Sequence, residues 1–387
     1  MKMIQLGKYI SEYSERNKSG EELPVYSVTN SEGFCKDYFS KDVSSQDRTT
    51  YKVVPRGYFA YNPSRINVGS VDWQHCEERV IVSPLYVVFK VSDSLDQQYL
   101  YYYLKSDKCL YFIKQLASGS VRDNLRFSSL KEFLIPDISI KEQKQVVKTL
   151  DHVSNLIYAY KQQLAKLDEL VKSRFVELFG DPVDNPKNYL VKSLQELIDM
   201  GYITYHLDGN HGGDYPRSEE FVDSGVPYIG ANSIVNGEID FSMAKFLTAE
   251  RASKLRKGIA QNDDVLFAHN ATVGPTVVLK TTESKVILST SLTAYRCNQS
   301  KLLPNFLKAY MQSDGFVRQY SGEMKQTTRN QVPITAQKKY LFLVPPIVEQ
   351  EQFATFVEQT DKSKLAVKQS LEKLETLKKS LMQQYFG

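Results

Sequence analysis

The feature that most constrains the fold of this chain is an internal repeat. Residues 142–180 and 349–387 align without a gap when 207 is added to each position. Identical residues occupy 14 of the 39 aligned positions, and both copies begin with Glu-Gln-x-Gln and end with Phe-Gly. A period of this kind indicates duplication of a structural unit. We therefore expect two similar halves, one ending at Gly180 and the other at Gly387.

Each copy of the repeat is predicted to be a long helix. Neither contains a proline or glycine before the terminal Gly, and glycine is typical of a helix stop. Apolar residues recur at alternating spacings of four and three, which is typical of a coiled-coil seam. The predicted seam residues are Val146, Leu150, Val153, Ile157, Tyr160, Leu164, Leu167, Val171, Phe353, Val357, Val367, Leu371, Leu374 and Leu381.

The two helices are predicted to pair as an antiparallel coiled coil about 58 Å long, at about 1.5 Å per residue. The second seam is expected to be the weaker one because Thr360, Lys364 and Lys378 interrupt it. The alternative is that each helix packs as an ordinary element of a globular core.

The segments outside the helices are typical of mixed, strand-rich domains. They contain short apolar runs between turn-forming residues, and they resemble each other, since Phe59–Asn62 is matched by Phe267–Asn270. The predicted fold is α+β with a pseudo-twofold repeat. Its predicted parts are a first domain (1–140), a central helix (141–180), a second domain with a short linker (181–348) and a distal helix (349–387).

Charge and composition exclude several classes of protein. The net charge of the 387 residues is +4, from 49 basic and 45 acidic side chains, so a polyanion would have to be bound by local patches. The longest nearly apolar run, Val80–Phe89, is too short to span a bilayer. The first residues contain no cleavable apolar stretch. Four cysteines without a CxxC pair favour reduced thiols. We expect a cytoplasmic protein with no membrane partner.

Catalytic and cofactor motifs are weak throughout the sequence. Residues 62–65 (Asn-Pro-Ser-Arg) resemble the tetrad of adenine methyltransferases, but the aromatic fourth residue is missing. No Gly-x-Gly loop or P-loop motif is present, and the five histidines lack metal-ligand spacing. Residues 206–214, rich in glycine and polar residues, favour a flexible loop over a site. We therefore predict no catalytic residue, metal or cofactor in this chain.

Two pairs of loops are better suited to nucleic acid. Amide and guanidinium side chains can bind base edges or phosphates. The alternative is that these loops are hydrogen-bonded surface turns, with Asn fixing its own backbone. The predicted DNA-binding residues are Tyr61, Asn62, Arg65, Asn67, Ser120, Arg122, Arg126, His269, Asn270, Thr272, Lys325, Thr327, Thr328 and Arg329.

The duplicated helices and alternating domains resemble the specificity subunit of type I restriction–modification systems. The resemblance covers essentially the whole chain. It is strongest in Gln162–Pro182 and Lys368–Gly387, and it extends to Gly57–Ser70 and Asp264–Gly274.

The resemblance implies a DNA-recognition role without catalysis. In that family each globular domain recognises one half of a bipartite double-stranded DNA target, and the paired helices set the spacer. The helices also dock two methyltransferase subunits, and restriction subunits can join. S-adenosylmethionine, ATP and Mg²⁺ would then belong to the partner subunits.

Two other functional classes remain open from the sequence. The first is a coiled-coil adaptor that joins two protein-binding domains without touching DNA. The second is a self-sufficient DNA-modifying enzyme, which the missing catalytic motifs disfavour.

Overall fold

The computed structural model describes residues 2–36, 47–117, 124–182, 184–324 and 330–387. The chain forms two compact units: unit 1 contains Met1–Gln162 and Lys368–Gly387, and unit 2 contains Gln163–Val367. The predicted boundaries separated domains from helices. The compact units instead divide each long helix, so that each unit contains a domain and a part of both helices.

Unit 1 begins with short strands and ends with helices. Its one-turn 3₁₀ helices are Leu6–Lys8 and Ile66–Val68. Its other elements are β1 (Met3–Gln5), β2 (Ile10–Tyr13), β3 (Tyr26–Thr29), β4 (Gly33–Lys36), β5 (Lys52–Pro55), β6 (Phe59–Tyr61), β7 (Val71–Trp73), β8 (Arg79–Val82), β9 (Val87–Val91), α1 (Gln97–Leu104), α2 (Asp107–Ala117), α3 (Phe127–Lys131), β10 (Leu134–Pro136) and the start of α4 (Ile140–Phe179).

An antiparallel four-stranded sheet, in the order β2-β9-β6-β7, forms the centre of unit 1. Two-stranded pairs β1-β10, β3-β4 and β5-β8 accompany it. Phe59 pairs with Phe89 in the sheet register, and both rings are fully buried. The main core joins this sheet to α1 and α2.

Unit 2 repeats this plan and adds strands. Its one-turn 3₁₀ helices are Gly212–Asp214, Ser218–Glu220, Ala231–Ser233 and Phe241–Met243. Its other elements are β11 (Leu190–Ser193), α5 (Leu194–Asp199), β12 (Ile203–Asp208), β13 (Phe221–Val222), β14 (Val226–Ile229), β15 (Ile234–Val235), β16 (Glu238–Ile239), β17 (Lys245–Leu247), α6 (Ala249–Ser253), β18 (Ile259–Ala260), β19 (Val265–Asn270), β20 (Thr272–Val278), β21 (Val286–Leu288), β22 (Leu292–Cys297), α7 (Pro304–Met311), α8 (Asp314–Met324), α9 (Ile334–Gln337), β23 (Leu341–Val344) and the start of α10 (Ile347–Phe386).

Two sheets of unit 2 match sheets of unit 1, and unit 2 also contains a five-stranded sheet and the two-stranded pair β15-β16. The order β12-β22-β19-β20 matches β2-β9-β6-β7, and β11-β23 matches β1-β10. A five-stranded sheet, β13-β17-β14-β21-β18, contains a parallel pairing between β14 and β21 and accounts for much of the extra length of unit 2. The helices α7, α8, α9 and α10 each start 207 residues after α1, α2, α3 and α4. The predicted α+β class and duplication are confirmed.

The Glu-Gln-x-Gln motif fixes the start of each long helix. The buried Gln143 side chain accepts a hydrogen bond from Asp96 N (2.8 Å) and donates to Ile138 O (3.0 Å). In unit 2, Gln350 accepts from Leu303 N (2.9 Å) and donates to Pro345 O (2.9 Å). All these partners are 207 residues apart. An amide offers both a donor and an acceptor, so a buried glutamine can satisfy two neighbouring backbone segments at once.

The Phe-Gly motif closes each long helix inside a hydrophobic core. Phe386 is buried in unit 1, with its ring centroid 5.1 Å from that of Tyr99. Phe179 is buried in unit 2, 4.8 Å from the ring of Phe306, which is the counterpart of Tyr99. Gly180 follows with φ +78°, and its N–H donates to Val176 O (2.7 Å), as in a glycine helix stop. Each long helix therefore starts in one unit and ends in the core of the other.

The predicted seam residues are all buried or half-buried. Within unit 1, Leu150 shares the core with Leu381, and Lys161 forms an ion pair with Glu375 (2.8 Å). Within unit 2, Lys364 occupies an interrupted seam position and pairs with Asp168 (2.7 Å). The polar residue thus keeps a partner at the seam. In the part of the chain described here, no helix has both the length and the apolarity needed to cross a membrane.

Candidate nucleic-acid interface

The β6–β7 loop of unit 1 (residues 62–70) carries three of the predicted DNA-binding residues, and a fourth, Tyr61, ends the strand before it. The Asn62 side-chain oxygen accepts hydrogen bonds from Ser64 N (3.1 Å) and Ser64 Oγ (2.9 Å). This is the backbone-fixing turn that the sequence left as an alternative. Arg65 is exposed and Asn67 is half-exposed. Of this loop, Arg65 and Asn67 therefore present the side chains best placed for an external ligand.

Tyr61 lies beneath this loop and does not face solvent. Its side chain is fully buried, and its hydroxyl donates to Leu125 O (3.2 Å). Leu125 N in turn donates to Pro63 O (3.1 Å). These bonds hold segment 124–126, which leads into α3, against the β6–β7 loop, so that the exposed Arg126 belongs to the same neighbourhood as the loop.

The β19–β20 turn (residues 270–272) is the counterpart in unit 2. Thr272 is exposed and Asn270 is half-exposed. Ala271 has φ +65°, a left-handed conformation that costs an alanine about 1 kcal/mol. Its N–H donates to Asn330 O (2.9 Å), and Asn270 bridges to Gln331. Segment 330–332 therefore holds the turn, and the strain is concentrated at the tip, as is common at functional positions.

His269 occupies the position of Tyr61 and is likewise internal. It is 1% exposed, and its Nδ1 lies 3.1 Å from Val332 O, the residue equivalent to Leu125. Val332 N returns a bond to His269 O (2.8 Å). Burial lowers the pKa of His269. The neutral ring with a proton on Nδ1 donates to the carbonyl.

The sequence predicted that Tyr61 and His269 contact DNA directly, but both side chains are buried, so this prediction is wrong. Both side chains instead join two loops of their unit. Six further predicted residues lie outside the described residues: Ser120, Arg122, Lys325, Thr327, Thr328 and Arg329.

A buried polar network supports the β19–β20 turn. The Gln337 side chain, with no exposed surface, accepts from Tyr295 Oη (2.6 Å) and contacts His206 Nε2 (3.1 Å). Its amide donates to Thr293 Oγ1 (3.2 Å) and to Val332 O (3.2 Å). Desolvation lowers the pKa of His206 to about 4. Sequence inspection missed Gln337, since a single glutamine in a short helix gives no periodic signal.

Residues 206–214 were predicted to form a flexible loop, and for the first half this is wrong. Strand β12 continues to Asp208, and His206 and Asp208 are buried. Asn210 is also buried and donates to Lys257 O (2.6 Å). His211 is exposed and contacts the Asp208 carboxylate (2.7 Å). His206, Asp208 and Asn210 are therefore buried in the fold, whereas His211 lies at the surface.

Across the described ranges, no group of three or more His, Cys, Asp or Glu side chains has a geometry that could hold a metal ion. The Cys109 thiol is completely buried, and burial raises its pKa.

Comparisons with known proteins agree with the duplicated architecture. The chain matches the model of the type I restriction modification DNA specificity domain twice, over residues 4–169 and 186–377. It is 22% identical over 304 residues to the type I restriction enzyme MjaVIII specificity subunit of Methanocaldococcus jannaschii. That alignment covers 74% of this chain and 69% of the relative.

Two solved structures share the fold at low sequence identity. The S subunit of a type I restriction–modification system from M. genitalium superposes with a TM-score of 0.57 and 16% identity, covering 100% of this chain and 96% of that one. A chain from a structure of type I R–M complex assembly and conformational transition gives 0.56 and 17%, covering 100% and 97%. On the two domain matches, this chain belongs to the type I restriction–modification DNA specificity family.

Proposed function

We propose that this chain is the DNA-recognition subunit of a type I restriction–modification complex, with each unit reading one half of a bipartite double-stranded target. The observation that carries the proposal is that the same pair of segments meets in both units. In each, a strand-end loop is hydrogen-bonded to the segment before a short helix, through Leu125 or Val332. Polar loop side chains held in this way suit base-edge and phosphate contacts.

The proposed DNA contacts come from the exposed members of the predicted set. In unit 1 these are Arg65, Asn67 and Arg126; in unit 2 they are Asn270 and Thr272. Asn62 contributes through its turn. The predicted residues outside the described ranges complete the set as proposals from sequence alone. Guanidinium groups bind guanine edges or phosphates, and amides bind adenine, so both kinds of contact are available.

The two long helices are proposed to pair as an antiparallel coiled coil that sets the spacer and docks two methyltransferase subunits. In support, α4 and α10 each contain 40 residues, about 60 Å at 1.5 Å per residue. Within unit 1, the start of α4 packs against the end of α10, so the contacting segments of the two helices run in opposite chain directions. Restriction subunits are proposed to join the same complex.

The chain is proposed to be non-catalytic and to act in the cytoplasm. Methyl transfer from S-adenosylmethionine, and cleavage that depends on ATP and Mg²⁺, would then take place on partner subunits. Incubating the pure chain with DNA and S-adenosylmethionine should give no methylation. Methylation by the chain alone would contradict this assignment.

The experiment that tests the proposal is a map of methylated adenines after co-expression with the methyltransferase subunits. We expect two short conserved base clusters separated by a spacer of fixed length and variable sequence. In parallel, binding of the complex to duplex DNA should weaken steeply with added salt, because phosphate contacts release counterions. An adaptor that never touches DNA would show neither a motif nor salt-dependent binding.

The role of the helices is tested by changing their length. Inserting four residues into both α4 and α10 adds about 6 Å, which we expect to lengthen the spacer by one or two base pairs. The same methylation map reports the spacer. An unchanged spacer in a folded, active complex would exclude helix length as its determinant.

A further inference from the structure

The β6–β7 loop of unit 1 is held at its far end by a lysine, Lys105. Lys105 follows α1, and its ammonium contacts Gly69 O, Asn30 O (3.2 Å) and Asn30 Oδ1 (3.3 Å). An ammonium has three N–H donors, so these three oxygens satisfy it. The ammonium also lies 5.5 Å from the centre of the Tyr101 ring.

The contact with Gly69 fixes a conformation that few residues can adopt. Gly69 has φ +91°, and a Cβ at this position would approach Asn30 Oδ1 to 2.5 Å. The loop therefore has its far end pressed against Asn30 and bonded to Lys105. Its near end is held through Tyr61 and Leu125. Both ends of the loop that carries Arg65 and Asn67 are thus hydrogen-bonded to other segments of the domain.

The fold itself does not require a lysine at this position. Gln312, 207 residues later, also directly follows its helix, and its amide donates to Thr276 O (3.0 Å), within strand β20. A neutral side chain is therefore sufficient after the equivalent helix. Removing an ammonium from water is costly unless it is paired, and burial lowers the pKa of Lys105 while Asp72 opposes the shift. The contacts of the Lys105 ammonium with Gly69 and Asn30 offset this desolvation cost.

We infer that Lys105 is a positioning residue for DNA reading by unit 1: it sets the geometry of the β6–β7 loop without contacting the DNA. This inference rests on the proposed function. It makes Lys105 a determinant of half-site specificity, because a recognition loop displaced by about an ångström loses its contacts with the DNA.

The test uses the full chain with its methyltransferase subunits and a library of randomised duplexes. Lys105→Met keeps the aliphatic length and removes the three donors. We expect the ratio between the preferred and next-best base to fall about tenfold at positions of one half-site, with the other half-site and the spacer unchanged. Lys108→Met is the matched control, because Lys108 is exposed and contacts Gly387 O (3.4 Å) rather than the loop; it should leave both half-sites unchanged.

Asn30→Ala provides a second variant if Lys105→Met unfolds. Asn30 is exposed, so its truncation should leave the fold intact, and it removes one oxygen from the ammonium. We expect the same half-site to loosen by a smaller factor. Unaltered base preferences in whichever variant is folded would overturn the inference. A wild-type complex with no base preference would instead overturn the proposed function.

Discussion

The two units place different chemistry beneath the same strand end. In unit 1 the rings of Phe59 and Phe89 stack with centroids 5.0 Å apart, and Leu130 is buried in the same core. In unit 2, Thr293 pairs with Phe267 where Phe89 pairs with Phe59, and Gln337 replaces Leu130.

The hydrogen bond from the strand end to the Leu125 or Val332 carbonyl is retained in both units. Both units therefore share the hydrogen-bonded connection between the two loops, but the side chains that pack beneath this connection differ. Beneath the strand end, unit 1 has apolar side chains, whereas unit 2 has buried, hydrogen-bonded polar side chains. The two kinds of core respond differently to truncation and to pH, which gives four ways to test the comparison.

The largest expected effect is truncation of the helix-terminal phenylalanines. Phe179 contacts the rings of Phe306 (4.8 Å) and Phe353 (5.6 Å), whereas Phe386 contacts Tyr99 (5.1 Å). We expect Phe179→Ala to lower the free energy of unfolding by about 4 kcal/mol and Phe386→Ala by about 3 kcal/mol. Urea denaturation, with amide exchange to assign the unit, measures both. If either variant lowered the stability of both units equally, the two phenylalanines would not belong to separate cores.

Next comes the polar network of unit 2. Gln337→Leu introduces the residue found at the equivalent position of unit 1 and leaves Tyr295 Oη and His206 Nε2 without their partner. Buried unpaired groups cost about 1–3 kcal/mol each, so we expect a loss of about 3 kcal/mol, confined to unit 2. Amide exchange by mass spectrometry locates the change. A neutral or stabilising substitution would show that the network contributes little.

The reciprocal variant is the matched control. Leu130→Gln buries an amide in the apolar core of unit 1, where Leu130 is fully buried. It should destabilise unit 1 and leave unit 2 unchanged.

Acid sensitivity separates the units further. His206 has its pKa lowered to about 4 by burial, so the unfolded chain binds a proton below about pH 6.5 that the folded chain does not. Stability of unit 2 should therefore fall as the pH drops from 6.5 towards 4, by at most about 1.4 kcal/mol per pH unit for this group. His269 acts in the same direction.

Urea midpoints between pH 7.5 and 5, assigned to each unit by amide exchange, check this expectation. His206→Gln should flatten the slope of unit 2, because glutamine does not titrate. The histidines of unit 1, His75 and His152, are exposed, so unit 1 should change less. A steeper loss of stability at low pH in unit 1 than in unit 2 would contradict this expectation.

The smallest expected effect concerns the exposed ion pair between the helices. Lys161 and Glu375 are 2.8 Å apart in unit 1, with about half of each side chain exposed. Solvent screens such pairs, so Lys161→Ala should change the free energy of unfolding by less than about 1 kcal/mol. Added salt should remove even that difference. A loss as large as that of Phe386→Ala would mean that charge, not packing, holds the helices.

The long helices were predictable because their signal is local and repeated. Apolar spacing of four and three residues predicted fourteen seam residues, and all of them, including Val153 and Val357, are buried or half-buried. The division of each helix between two units was not predictable in the same way. It depends on where Phe179 and Phe386 find their aromatic partners, and the periodicity of one helix contains no information about them.

The sequence predicted two pairs of DNA-binding loops, but it did not predict which of their side chains turn inward. The sequence predicted exposed loop positions for Tyr61 and His269. Their hydrogen-bond partners, Leu125 and Val332, lie 64 and 63 residues away in the chain, so no local pattern indicates the contact. Whether a polar side chain at a strand end turns inward depends on such distant carbonyls. The contact between Lys105 and Asn30 was not predictable for the same reason, because Asn30 lies 75 residues before Lys105.

We propose that each unit reads its own half of the target. Arg65→Ala and Arg126→Ala, introduced together in the full chain, test this proposal when methylated adenines are mapped with the methyltransferase subunits present. We expect one half-site to loosen while the other half-site and the spacer stay as in the wild type. Changes in both half-sites, or in neither, would contradict it.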